Sequence, residues 1–235
     1  GYLFENSAMD LVQKVIPPLT SEQRVESIEA VGKYLNSLGI TSAIDANLNF
    51  NEMRTYLEAK NEGRLSFRAN LMFYLDSAYG DKETHLRRLE EMCCVTGFGD
   101  DMLKLNGVKV TLDGIPATYT ALMREGYKTR PDYCGSSVWS QDEITAFVCK
   151  AQELGWQFGI HTIGDAAEDM ALNAFEEANK INPVKPRRHY LIHYQFPRED
   201  QWPRMRELGI GATVQPTLVS TMGEAPQFYE EQAMR

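Results

Sequence analysis

No run of apolar residues in this 235-residue chain approaches the ~20 needed to span a bilayer. No basic start leads into an apolar stretch either, so a signal peptide is not expected and the cytoplasm is the default location. Cysteine is scarce. Cys93, Cys94, Cys134 and Cys149 contain no CxxC pair, which argues against a zinc knuckle or a disulfide framework and leaves buried free thiols as the expectation. Positive charge is also in deficit, with 24 Lys and Arg against 33 Asp and Glu. A general nucleic-acid binder needs the opposite balance, because phosphates are held by a surplus of cations. Gly-rich phosphate loops, internal repeats and low-complexity tracts are all absent, and only four histidines occur. What remains is an acidic protein for which neither nucleic acid nor a membrane is the expected partner.

The composition is otherwise that of a globular chain, 43% hydrophobic and long enough for one large domain. Helical and strand patterns alternate. Thr20-Ser21-Glu22-Gln23 reads as a capping box, in which a hydroxyl and a glutamine satisfy each other's backbone donors at a helix start. The helix it opens places Val25, Ile28, Val31, Leu35 and Leu38 inward and stops at Gly39. Ser140-Gln141-Asp142-Glu143 is a second such box, followed by Ile144, Phe147, Val148, Ala151 and Leu154 on one face. A helix is expected from about Lys82 to Cys94. Asp165 is the expected N-cap of another, which carries Ala167, Met170, Ala174, Phe175 and Ala178 inward.

Six strand candidates begin near residues 40, 67, 108, 156, 189 and 210. Strands separated by helices run parallel, with the helices as crossovers. This predicts an α/β fold of the TIM (β/α)8 type, which has eight strands and ~250 residues when whole. Six strands in one partial domain over residues 1–235 is two short of that. The stretch from Gly114 to Ser140 is a long connection rich in tyrosine, and long connections in compact domains are usually functional or disordered. Thr221 to Arg235 reads as the start of a further helix.

Candidate chemistry lies where rare polar residues fall on apolar strands. Lys109 interrupts Val108-Lys109-Val110, His161 closes Phe158-Gly159-Ile160-His161, and His193 closes Tyr190-Leu191-Ile192-His193. The two histidines are 32 residues apart, close to one βα repeat of ~30, which puts them on neighbouring strands within reach of one ion. Neutral imidazoles bind zinc through nitrogen and leave positions open for water, whose pKa the metal lowers to ~7. A buried lysine loses its proton readily, and the free amine can add carbon dioxide to give a carbamate. A lone histidine at a strand end is more often a hydrogen-bonded core or rim residue, and two at this spacing bring the metal reading level with that one. Lys109 alone reads as a snorkelling lysine, His85 as solvated on a charged helix, and His189 as structural. Asp45 and Asp113 end strands and read equally as substrate-facing or turn-forming.

These residues resemble a known family, the YtcJ-like amidohydrolases (amidohydrolase family 3) of the metal-dependent hydrolase superfamily. GIHTIGDAAEDMALNAFEEA and GVKVTLDG carry the resemblance together; GYLFENSAMDLV, PPLTSEQ, LGITSAIDA, RHYLIHYQ and LGIGATVQPT are similar to other segments of it. The resemblance implies that Lys109 is the carboxylated lysine of strand four, and that His161 and His193 are metal ligands on strands five and six. It makes the six candidates strands two to seven, with strands one and eight and a small β-sandwich domain missing. A His-x-His pair and a catalytic Asp, which the family carries on the missing strands, do not appear, and Ile192 stands where the family usually has Glu.

The implied function is hydrolysis of non-peptide carbon–nitrogen bonds of the amide type by one or two divalent ions, zinc first among them. This chain alone would retain one site at most and be catalytically incomplete. The alternative is a non-catalytic barrel with a binding or regulatory role and a degenerate metal site. Asp45, Asp113, Asp165, Gln195 and Tyr119 are candidate substrate or supporting residues, with Tyr119 and its neighbours shaping the pocket. Open strand edges predict self-association.

Overall fold

Both capping boxes form, and they set where the first helices begin. In a computed structural model that describes residues 12 and 14–217, Thr20 Oγ1 accepts from Gln23 N while Gln23 Oε1 accepts from Thr20 N. Helix α1 (Ser21–Ser37) starts there. Its inward stripe is narrower than the pattern predicts. Val25 and Gly32 are buried and Ile28 and Leu35 partly so, whereas Val31 and Leu38, both expected inside, are exposed. At 100° per residue the four inward positions span one narrow arc, and Val31 and Leu38 fall to one side of it.

Strand β1 (Ser42–Leu48), helix α2 (Phe50–Asn61) and strand β2 (Arg68–Tyr74) follow. Helix α2 went unpredicted. Its N-cap Asn49 and Glu52 form a third reciprocal box, and Met53 and Tyr56 pack beside the buried Thr55 and Ala59, a signal the sequence reading passed over. β1 and β2 pair in parallel, Ser42 opposite Arg68, and the short strand β3 (Phe98–Gly99) pairs antiparallel with the start of β4 (Leu103–Thr111). β4 begins five residues before the expected Val108. These elements belong to the first of two compact units, made of the chain through Tyr74 plus Cys94–Gly107. Its core is Val25, Leu48, Ala59, Leu65, Phe67, Ala69 and Leu71.

The second unit comprises Leu75–Cys93 and the chain from Val108 onward. It contains the rest of β4, β5 (Phe158–Thr162), β6 (Tyr190–His193) and β7 (Gly211–Thr213), paired in parallel in that order. Helices α3 (Lys82–Glu91), α4 (Gln141–Leu154), α5 (Asp165–Ile181) and α6 (Gln201–Leu208) are the other elements. Val108, Val110, Phe158, Ile160 and Leu191 from the strands are fully buried, as are Phe147, Val148, Leu172 and Phe175 from the helices. Each such side chain contributes about 1.5–3 kcal/mol through burial. Gly155 closes α4 with φ 90°, a left-handed conformation that a residue with a Cβ adopts only at a cost.

Three local expectations fail here. His85 is fully buried, because its Nε2 meets Asp76 O at 3.0 Å and its ring packs against Trp139 and Phe147. Helix α3 stops at Glu91, ahead of the cysteines; Cys93 is exposed, and Cys94, Cys134 and Cys149 are half-buried, all four as free thiols. Gly164, and not Asp165, is the N-cap of α5. Among the described residues no helix is long and apolar enough to cross a membrane. The helix expected from Thr221 lies outside the described residues.

Candidate metal centre

Parallel pairing brings the polar strand residues together. Lys109 on β4 lies opposite Gly159 of β5, Thr111 opposite His161, and Thr162 opposite His193 of β6. His161 itself is opposite Ile192, and it is where the strand ends in the left-handed His193 that the two imidazoles meet edge to face, with ring centroids 4.6 Å apart and planes at 76°. Lys109 is 8% exposed and donates from Nζ to Thr111 Oγ1 at 2.9 Å. Burial lowers its ammonium pKa to about 8, against the opposing pull of the Asp76 carboxylate. Asp76 follows the end of β2 as Asp113 follows β4 and is not among the residues singled out in the sequence; Asp45, expected to end its strand, lies in the middle of β1.

His161 is held neutral. Burial first, then the charges of His193 and Lys109, bring its pKa down to about 3, while a hydrogen bond to the Gly114 backbone pulls the other way. Its Nε2 is buried with no hydrogen-bond partner. His193 Nδ1 meets Gln215 Oε1 at 2.6 Å, and Gln215 Nε2 donates to Thr213 O. The backbone at His193 and Tyr194 is left-handed, with φ of 78° and 46°, a conformation costing of order 1–3 kcal/mol per residue. Tyr194 N bonds to Thr162 O and Phe196 N to Ile163 O, and these contacts hold the turn.

Asp113 organises the loop beside the histidines. Fully buried, it accepts from Ile163 N at 3.0 Å on Oδ1 and from Leu122 N and Gly164 N at 2.9 and 2.8 Å on Oδ2. Burial pushes its carboxyl up to about 7, opposed by those three N–H donors. The Leu122 carbonyl in turn accepts from Ala166 and Ala167 N–H at the start of α5. A Cβ on Gly164 would stand 2.0 Å from that carbonyl, so only glycine lets the loop approach. The middle of the 114–140 connection is thus pinned to the end of β5.

The other predicted residues are distributed differently. Asp165 is buried and accepts from Arg124 N and Arg198 Nε, so it ties the loop and the chain before α6 to α5. Tyr119 packs on Tyr127, stacks under Arg130 and accepts from Thr129, all within the loop. Gln195 is half-buried on the chain leaving His193; the glutamine bonded to a site imidazole is Gln215. Asp45 lies in the first unit and accepts from Tyr56 OH at 2.8 Å. His189 is structural as expected: Nδ1 accepts from Phe158 N and Nε2 faces Gln152 Oε1.

Glu168 on α5 was not foreseen. It is fully buried, neither oxygen has a well-formed hydrogen bond, and burial with the charges of Asp165, Asp113 and Asp169 raises its pKa to about 10. The Phe196 N–H, though outside hydrogen-bond geometry, pulls it down. Nothing in the local sequence separates Glu168 from the solvated glutamates of the same helix.

Among the described residues no three His, Cys, Asp or Glu side chains are arranged to hold a metal ion. The ligand-type set here is two imidazoles and one amine. It fits a single divalent ion: His161 Nε2 is an orphaned buried nitrogen, and Lys109 sits where its amine readily loses its proton.

Residues 1–233 match the amidohydrolase family described as Amidohydro_3. Protein LONG AFTER FAR-RED 3 of Arabidopsis thaliana is 28% identical over 91% of this chain and 37% of its own length. The putative amidohydrolase YtcJ of Bacillus subtilis is 27% identical over 94% of this chain and 40% of its own. An uncharacterized metal-dependent hydrolase from Pyrococcus furiosus superposes with a TM-score of 0.76 at 29% identity, over 93% of this chain and 43% of that one. The chain thus spans less than half the length of the relatives it matches.

Proposed function

The chain belongs to the amidohydrolase family, and from that premise we propose that the protein containing it hydrolyses non-peptide carbon–nitrogen bonds of the amide type with a divalent ion, zinc first among the candidates. The observation that carries this reading is the pair of neighbouring imidazoles, His161 and His193, beside the buried amine of Lys109. His161 and His193 would hold the ion through nitrogen, and Lys109, carboxylated, through oxygen. When bound, the ion would polarise the scissile carbonyl and make a water nucleophilic near neutral pH.

The chain's own residues supply position and desolvation. Thr111 orients Lys109, Gln215 orients the His193 ring, and Asp113 holds the loop beside the site. The proposed substrate is a small molecule with an amide-type bond, admitted past the tyrosine-bearing loop. These 235 residues contain no His-x-His pair, so by themselves they are proposed to bind one ion at most and to be catalytically incomplete. Self-association through strand edges is proposed with it, and sedimentation at increasing concentration tests it.

Elemental analysis of the purified chain, repeated on a His161→Ala, His193→Ala double variant, tests the metal reading. Near-stoichiometric divalent metal that the variant loses supports it. No uptake even with zinc and bicarbonate would favour the second reading, a barrel with a binding role and a degenerate site.

A further inference from the structure

We propose that Gln215 is a positioning residue that selects the tautomer of His193 and so determines which of its nitrogens is free to bind. The inference deepens the metal reading above and rests on it. The two ends of a glutamine amide are chemically opposite: the oxygen only accepts and the nitrogen only donates. Gln215 Nε2 donates to the Thr213 carbonyl at 3.3 Å. That places Oε1 on the other side, 2.6 Å from His193 Nδ1. With an acceptor facing it at that distance, Nδ1 must carry the ring proton, and the unshared pair belongs to Nε2. Turning the amide over would set Oε1 against the Thr213 carbonyl, two acceptors face to face, so only the observed orientation satisfies Thr213 and His193 together.

The neighbouring ring, His161, presents a buried Nε2 with no hydrogen-bond partner beside it. A histidine ligand whose other nitrogen donates to a fixed acceptor is held in orientation and made more basic. Gln215 lies two residues beyond the end of β7, so the segment leaving the seventh strand shapes the site.

Long-range proton–nitrogen correlation spectra of the histidine-labelled chain, recorded metal-free at mildly alkaline pH, read the tautomer directly. The unsubstituted chain is expected to show His193 protonated on Nδ1, with that preference lost in Gln215→Leu and kept in Gln215→Glu, which still presents an acceptor. Zinc affinity by chelator competition should fall about 10- to 100-fold in Gln215→Leu and be restored in Gln215→Glu. A proton on Nε2 of His193 in the unsubstituted chain overturns the proposal whether or not any variant folds. So does zinc affinity unchanged in a folded Gln215→Leu chain. If the tautomer responds to Gln215 while the unsubstituted chain takes up no zinc, the positioning role stands and the metal reading fails.

Discussion

Asp113 Oδ1 lies 3.8 Å from His161 Nε2, yet the two form no ion pair. Burial keeps the imidazole neutral, with a pKa near 3, so the ring carries no charge for the carboxylate to meet. Asp113 instead spends its lone pairs on the N–H groups of Ile163, Leu122 and Gly164. The carboxylate is a staple between loop and strand, and the nearby nitrogen is left free.

Asp113→Asn tests that staple. One of the two oxygens becomes a donor, and an NH2 group would then face either the Ile163 N–H or the pair from Leu122 and Gly164. Buried donors left unpaired cost about 1–3 kcal/mol, so the urea midpoint should fall accordingly. Amide exchange at Leu122 and Gly164 should accelerate more than at Phe147 in the helical core. Equal acceleration everywhere would mean that Asp113 contributes to stability without holding the loop.

Glu168 predicts an unusual pH dependence. Its carboxyl rises from an ordinary 4.5 to about 10 in the folded chain, so the native state keeps a proton that the unfolded state loses. Stability from this group is full below pH 4.5 and declines as the pH rises toward 10. Glu168→Gln removes that decline, leaving stability unchanged at pH 4 and raising it by about 2–4 kcal/mol at pH 8. Thermal or urea melts of both chains at the two pH values check this, and parallel pH profiles would refute it.

Lys109→Met separates stability from binding. The buried amine is costly to charge, and a methionine of similar length fills the same space without that cost. In chelator-treated protein the substitution should raise the unfolding free energy by about 1–2 kcal/mol. Zinc uptake should disappear in the same variant. A loss of stability together with retained uptake would show that Lys109 is held by partners and has no part in binding.

Which features were legible in the sequence follows from the range of the interactions behind them. Thr20 with Gln23 and Ser140 with Glu143 are bonds across three residues, so the helix starts at 21 and 141 were readable. Lys109, His161 and His193 stood out because each interrupts or ends an apolar run. Helix α2 was legible by the same means, a reciprocal box of Asn49 and Glu52 ahead of Met53 and Tyr56, although its fully buried positions are only Thr55 and Ala59. His85 looked solvated among Lys, Glu and Arg, and only Trp139 and Phe147, more than fifty residues onward, bury it.

The sequence by itself determined most of the alternation of strands and helices, the caps at Thr20 and Ser140 and the identity of the three polar strand residues, because apolar periodicity and capping act over a few neighbouring positions. The tertiary structure alone decided that Gln215 and not Gln195 meets a site imidazole, that Asp113 pins Leu122 to Gly164, and that Glu168 is buried and protonated. Those outcomes depend on which strand lies beside which and on how much water their packing excludes. Neither quantity is carried by any short stretch of the chain.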